Sequence, residues 1–542
     1  MFISRLWPLG LLAGGLLLPA CHQQQSSEVP LEATSTYEMP PAADYAEAPA
    51  PLPPPSGESY ARLPENPFET VRQAPLSTFA IDVDPASYSN VRRFLTQNRQ
   101  LPPPEAVRLE ELINYFHYDY PQPTRPDEPA TLHAEVARCP WNPAHQLVLV
   151  GVQGRQTAHA ELPPANLVFL LDVSGSMNDE DKLPLLKASL RQLLPRLRAQ
   201  DYVSIVVYAG AAGLVLPPTS GSRPQEIMAA LDNLEAGGST AGGEGLRLAY
   251  QVARMQARPG TNTRIILATD GDFNVGESSD AAMEQLVTEE RQSGVFLSVL
   301  GFGEGNLQDS KMELLADKGN GNYAYIDNLN EARRVLVQQF GGTLFTLAKD
   351  VKIQVEFNPA QVQQYRLLGY ENRLLAAEDF NDDTKDAGEL GAGQQVTALY
   401  EIVPTNARPA VDPLKYQPTG TSDYEAAYTS SAELLTVKLR YQEPQGSASR
   451  LLKLPVRGTD TSVEQASNNL RLAASVAEFG LLLRQSEHRG AASYAAALCR
   501  AQSVRGRDTD GSQREFAELV RQAAELSNEA DQTLPREQWS YR

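Results

Sequence analysis

Between about residues 164 and 346 the chain alternates continuous apolar runs with amphipathic stretches, and no other feature restricts its fold as much. NLVFLLDVS, DYVSIVVYA, TRIILATD and VFLSVLGFG hold apolar residues at consecutive positions, so both faces of each strand must be covered. Between them, LPLLKASLRQLLPRL, EGLRLAYQVARMQ and AAMEQLVTEERQ repeat apolar residues at helical spacing. Such alternation predicts an α/β fold, a doubly wound, mostly parallel sheet whose ligand site lies beyond the carboxyl ends of its strands.

On both sides of this segment the pattern changes to period two. VKIQVEF alternates Val351, Ile353, Val355 and Phe357 against polar residues, and LLTVKLRY and QLVLVGV behave alike. Residues 126–163 and 347–458 are therefore expected to form one β-sandwich-like domain, with the α/β domain at 164–346 inserted in it. A small α-rich region, 77–125, precedes them, with Asp84 expected as N-cap and Pro85 as first residue of a helix carrying Tyr88, Val91, Phe94 and Leu95. A helical C-terminal region, 459–542, follows, its last helix opened by Asp510 or Ser512. DTDGSQREFAE does not match the acid spacing of a calcium loop.

The N-terminus combines Arg5, a short apolar run from Leu9 to Leu18 and small residues before Cys21. The run is too short to span a bilayer, which predicts a cleaved export signal at 1–20. Leu18-Pro19-Ala20-Cys21 resembles the lipobox of bacterial lipoproteins. That resemblance implies a lipidated Cys21 and a protein anchored in the bacterial cell envelope, with His22 directing it to the outer membrane. An ordinary signal peptide with an incidental cysteine is the alternative. Residues 21–76, rich in Pro, Ala, Ser and Glu, read as an extended tether.

Composition removes several function classes. Lys and Arg number 47 against 67 Asp and Glu, a formal charge of −20, which argues against a nucleic-acid partner. Three cysteines form no C-x-x-C pair, and Cys139 and Cys499 suit small core positions better than a bridge. The six histidines are scattered and include no H-E-x-x-H, which argues against a zinc hydrolase.

The chemistry concentrates at strand ends. Asp172, Ser174 and Ser176 follow the first apolar run, Thr240 sits in GGST ahead of a helix, and Asp270 ends TRIILATD. If the first and fourth strands are central, these oxygens meet at one edge of the sheet. Two carboxylates and three hydroxyls, without thiol or imidazole, suit a hard cation: Mg²⁺, with Mn²⁺ or Ca²⁺ as alternatives. Loop and helix capping is the competing reading of the hydroxyls, and a charged helix N-terminus explains Asn178, Asp179, Glu180 and Asp181.

The order DVSGS, Thr240, Asp270 resembles the metal-ion-dependent adhesion site of von Willebrand factor type A domains. The resemblance implies that both serines and Thr240 bind the ion, with the aspartates bound directly or through water. It further implies an open coordination position that an Asp or Glu of a partner protein fills. STFAIDVDPASYSNVRRFL and LGYENR are similar to flanks in a bacterial lipoprotein subgroup carrying this domain. Adhesion or complex assembly, rather than enzyme activity, is the expected role. A scaffold with a structural or switching metal, its last helix near 330–342 moving, is the second reading. Catalysis is disfavoured: position 174 is Ser where a D-x-D phosphatase has Asp, and G-x-S-x-G is absent.

Overall fold

A computed structural model describes residues 57–527 apart from 82–83, 126, 239–241, 272–279, 340–341, 343–344, 386, 406, 408–431, 445, 447 and 507. Cys21, the expected export signal at 1–20 and Thr240 lie outside the described residues. The first part of the chain contributes β1 (Glu69–Thr70), β2 (Leu76–Ala80), α1 (Ala86–Thr96), α2 (Leu109–Asn114), β3 (Ala130–Arg138) and β4 (Gln146–Gly154). The middle holds β5 (Ala165–Asp172), α3 (Leu183–Leu193), β6 (Tyr202–Tyr208), β7 (Ala212–Ser220), α4 (Pro224–Asp232) and α5 (Gly242–Gln256). It continues with β8 (Asn262–Thr269), α6 (Asp280–Arg291), β9 (Val295–Phe302), α7 (Asp309–Lys318), β10 (Tyr323–Ile326) and α8 (Leu329–Arg333).

After it come β11 (Thr346–Phe357), β12 (Val362–Leu368), β13 (Leu374–Leu375), β14 (Gly388–Gly391), β15 (Gln395–Pro404), β16 (Glu433–Gln442) and β17 (Ser449–Arg457). Three helices close the chain: α9 (Asn468–Leu483), α10 (Tyr494–Ser503) and α11 (Ser512–Leu526).

The middle sheet has the order β10-β9-β8-β5-β6-β7, and all its pairings are parallel except β6 with β7. Its two central strands, β5 and β8, are those that end in Asp172 and beside Asp270. Apolar side chains fill both faces: Leu167, Phe169 and Leu171 on one, Val168 and Leu170 on the other. That explains the uninterrupted apolar runs of the sequence.

Two antiparallel sheets, β1-β12-β15-β4-β3 and β13-β2-β11-β16-β17, enclose a second core between them. Strands from before and after the middle segment interleave within each sheet, so the α/β domain is an insertion in a sandwich. Val351, Ile353, Val355 and Phe357 of VKIQVEF face this core, while Lys352 and Gln354 on the other face are buried too and donate to backbone carbonyls of Asp379, Asp382 and Ala377.

Four local expectations are corrected. Residues 57–76, assigned by composition to the tether, include β1 and the start of β2, and Glu58 forms a buried ion pair with Arg93 at 2.8 Å. Asp84 does not cap α1; its carboxylate accepts the amide of Tyr323 at 2.9 Å and so ties this segment to β10. At α11 the amides of Gln513 and Arg514 are accepted by Asp508 at 3.1 Å, whereas Gly511 occupies the N-cap position. Cys139 is buried and Cys499 exposed, both as free thiols, so only the first is a core residue.

The two helical regions are not separate bodies. Val91 and Leu95 of α1, Leu112 and Ile113 of α2, Phe479 of α9 and Phe516 of α11 share one core, laid on Leu147, Leu149 and Leu399 of the sandwich. Arg92 clamps that core to the inserted domain: its Nε donates to Asp327 at 2.7 Å and its Nη2 to Glu331 of α8 at 2.8 Å.

Candidate metal centre

The loop DVSGSM leaves the central strand β5 at its carboxyl end, where one last bond, from the Val173 amide to the Tyr208 carbonyl of β6 at 3.0 Å, continues the pairing. It is then held by the neighbouring loop: Gly237 donates to the Val173 carbonyl at 2.8 Å, and Gly175 donates to Gly238 at 3.1 Å. Thr240 lies outside the described residues, but these two bonds fix the chain just ahead of it against the loop carrying the serines. The Ser174 and Ser176 hydroxyl oxygens are 3.1 Å apart. Asp270 follows β8, the strand paired with β5. The structure therefore gathers Asp172, Ser174, Ser176 and Asp270 at one edge of the sheet.

Both carboxylates are fully buried, but their partners differ in charge. Asp172 accepts the Ser174 amide at 2.9 Å, the Tyr208 hydroxyl at 3.1 Å and the Thr269 hydroxyl at 3.3 Å, all neutral donors. Burial holds its carboxyl above the ordinary aspartate range, against the Ser174 hydrogen bonds that pull it down, and the charge of Asp270 adds to the rise. Asp270 instead faces a cation of the chain itself. Lys182 Nζ lies 3.1 Å from its Oδ2 and also donates to the Ser176 carbonyl at 3.0 Å.

Glycines make room for this arrangement. Gly303 has φ +72°, and a β-carbon there would fall 2.4 Å from Lys182 Cε, so the lysine stem runs directly over its backbone. Gly271, at φ +104°, lets the chain after Asp270 pass against Asn306 and Gln308, where a β-carbon would meet Asn306 O at 2.4 Å.

Three family models match the chain: "von Willebrand factor" over 54–149, "von Willebrand factor type A domain" over 166–339, and "Uncharacterized protein YfbK, C-terminal" over 342–526. The uncharacterized protein YfbK of Escherichia coli (strain K12) is 43% identical over 472 residues, covering 86% of this chain and 81% of that protein. The chain belongs to the YfbK family of von Willebrand factor type A domain proteins.

Human inter-alpha-trypsin inhibitor heavy chain H3 is 30% identical over 166 residues, which is 29% of this chain and 18% of that one. The solved von Willebrand factor type A protein from Catenulispora acidiphila is 15% identical, with a TM-score of 0.39 and coverage of 72% of this chain and 89% of its own.

Within this type A domain, the oxygen set fits a hard divalent ion on a structural ground. Asp172 is a buried charge bonded by neutral groups alone, and a cation beside it would remove the penalty. Among the described residues no three His, Cys, Asp or Glu side chains gather as a metal cluster. Lys182 was not anticipated. Its only signal in the sequence is its position six residues after Ser176, and the buried carboxylate it meets, Asp270, comes from a distant loop. Asn178 to Asp181 do not open a helix: residues Gly175–Asn178 form a single 3-10 turn, α3 begins at Leu183, and its first turn is free of acids.

Proposed function

We propose that this protein is held in the bacterial cell envelope through a lipidated Cys21 and binds a partner protein through a divalent cation. Asp172, Ser174, Ser176, Thr240 and Asp270 hold the ion, Mg²⁺ in the first instance, and an Asp or Glu carboxylate of the partner completes its shell. The observation that carries this reading is the buried Asp172 carboxylate with neutral donors only, set beside two hydroxyls at the carboxyl edge of the sheet.

Neutral hydroxyls leave most of the ion's charge uncompensated, so it attracts a further carboxylate. Attached acyl chains would bind the membrane by burying methylenes, with no spanning helix required; among the described residues no helix is long and apolar enough to cross a membrane.

Calorimetric titration of the chain with MgCl₂ tests the site. Saturable binding is expected, and Asp172→Ala should abolish it; equal binding by the two proteins would sink the assignment. Fractionation of cells expressing Cys21→Ala tests the anchor, with release of the protein from membranes expected.

A further inference from the structure

Six arginines are buried among the described residues: Arg92, Arg93, Arg108, Arg264, Arg366 and Arg500. Five are paired with carboxylates: Arg92 with Asp327, Arg93 with Glu58, Arg108 with Asp309, Arg366 with Glu401 and Arg500 with Glu478. Arg264, only 2% exposed, has no carboxylate within ion-pair distance among the described residues. Its Nη1 donates to the Ser298 hydroxyl at 2.7 Å, its guanidinium carbon sits 5.4 Å from the centre of the Phe296 ring, and its Nε has no partner.

A buried guanidinium without a counter-ion is costly. The effect is visible in its ionisation: burial pulls the Arg264 pKa down to about 10, with the more distant charge of Glu389 opposing the fall. Proteins seldom retain such a charge where an apolar residue would serve, unless it meets something from outside.

Arg264 lines a cleft of about 350 Å³ between the inserted domain and the sandwich. Asn320, Asn322, Asn372 and Gln394 also line it, with the acids Glu389 and Asp317 and the cations Lys318 and Arg373. Arg264 lies near the start of β8, whereas Asp270 follows its end, so the cleft opens at the opposite edge of the sheet from the candidate metal centre. The two sites are independent.

We infer that this cleft binds a small monocarboxylate whose two oxygens seat on Arg264. The planar guanidinium fork matches two carboxylate oxygens, and the polar residues of the wall suit a polar ligand body. Glu389, whose charge acts on Arg264, disfavours a dianion such as phosphate, whereas Asp317 is paired with Arg373. The volume admits a small molecule, at the lower end of the usual range for ligand pockets.

The test is thermal unfolding and calorimetry of the full chain with sodium acetate, against sodium chloride at equal ionic strength, with sodium phosphate in a parallel arm. Acetate is expected to raise the melting temperature saturably, with phosphate inert. Arg264→Met is expected to unfold at the same temperature as the parent or above it when no acetate is present, and to bind acetate about tenfold or more weakly. Glu389→Gln, which removes the competing negative charge, is expected to bind acetate more tightly, and it decides the question if Arg264→Met does not fold. An unaltered acetate response in Arg264→Met overturns the inference. So do a response to phosphate alone, the absence of a saturable response, and weaker acetate binding by Glu389→Gln.

Discussion

Lys182 neutralises Asp270 inside the fold: a buried ammonium donates to a carboxylate with no solvent exposure, across a gap of 3.1 Å. The chain thus carries its own monovalent cation at the rim of a site suited to a divalent one. The two positive charges repel strongly at such range in a partly dry site. Replacing Lys182 by Met should therefore raise Mg²⁺ affinity about tenfold, or about 1.4 kcal/mol, in a calorimetric titration. Weaker binding by Lys182→Met would show that the lysine serves the ion rather than competing with it.

Gly303 supports that lysine from below. An alanine there must adopt φ +72° and place its β-carbon 2.4 Å from Lys182 Cε. Gly303→Ala should cost about 1–3 kcal/mol of stability, read from the midpoint of urea unfolding. An unchanged midpoint would mean that the loop and the lysine stem can shift together without loss.

Arg92 joins three parts of the chain, reaching Asp327 and Glu331 of the inserted domain and Glu515 of α11. Its removal leaves two buried carboxylates uncompensated. Arg92→Ala should destabilise the protein by about 3–5 kcal/mol, the cost typical of breaking a buried pair from one side. Denaturant unfolding followed by intrinsic fluorescence measures it; a loss below 1 kcal/mol, roughly that of an exposed pair, would contradict the clamp.

Asp201 gives a pH signature. Burial acts to raise its pKa, but Arg198 and the amides of Ala165 and Arg198 outweigh burial and hold the carboxyl below the ordinary range. A depressed folded-state pKa contributes stability that is complete above the unfolded value of about 3.9 and fades as pH falls through the folded one. At neutral pH Asp201→Asn should therefore be less stable than the parent by about 1–3 kcal/mol, with the difference narrowing below about pH 4. A difference that stays constant from neutral to acid pH would contradict the ion-pair account.

The parts of the fold legible in the sequence were those fixed by local pattern. Consecutive apolar residues in NLVFLLDVS and TRIILATD follow from strands with apolar cores on both faces, and period-two alternation in VKIQVEF follows from a strand with an apolar core on one face only. β7 was missed because AGLVLPPTS carries two prolines and exposed leucine and valine, a composition that only an edge strand tolerates. Asp84, next to a proline, has the signature of a helix cap, yet its partner is an amide of β10 that sequence proximity cannot reveal.

The candidate site divides in the same way. Asp172, Ser174 and Ser176 form a local string, and Asp270 follows from the expectation of neighbouring central strands. Lys182 depends on Gly303 and Asp270, both far along the chain, so no short-range rule could have placed it.

The insertion also sets an order of events during synthesis. Gln354 on β11 donates to Thr78 on β2, a partner 276 residues earlier. Every ribosome making this protein has therefore released β2 long before β11 exists to pair with it. The early strands must wait as unpaired edges, open to wrong partners, while the inserted domain, whose sheet uses only its own residues, can close first. Once closed, that domain ceases to act as a long floppy loop, and the entropy of joining β2 to β11 falls accordingly. The type A domain thus acts as the timer for the sandwich that carries it.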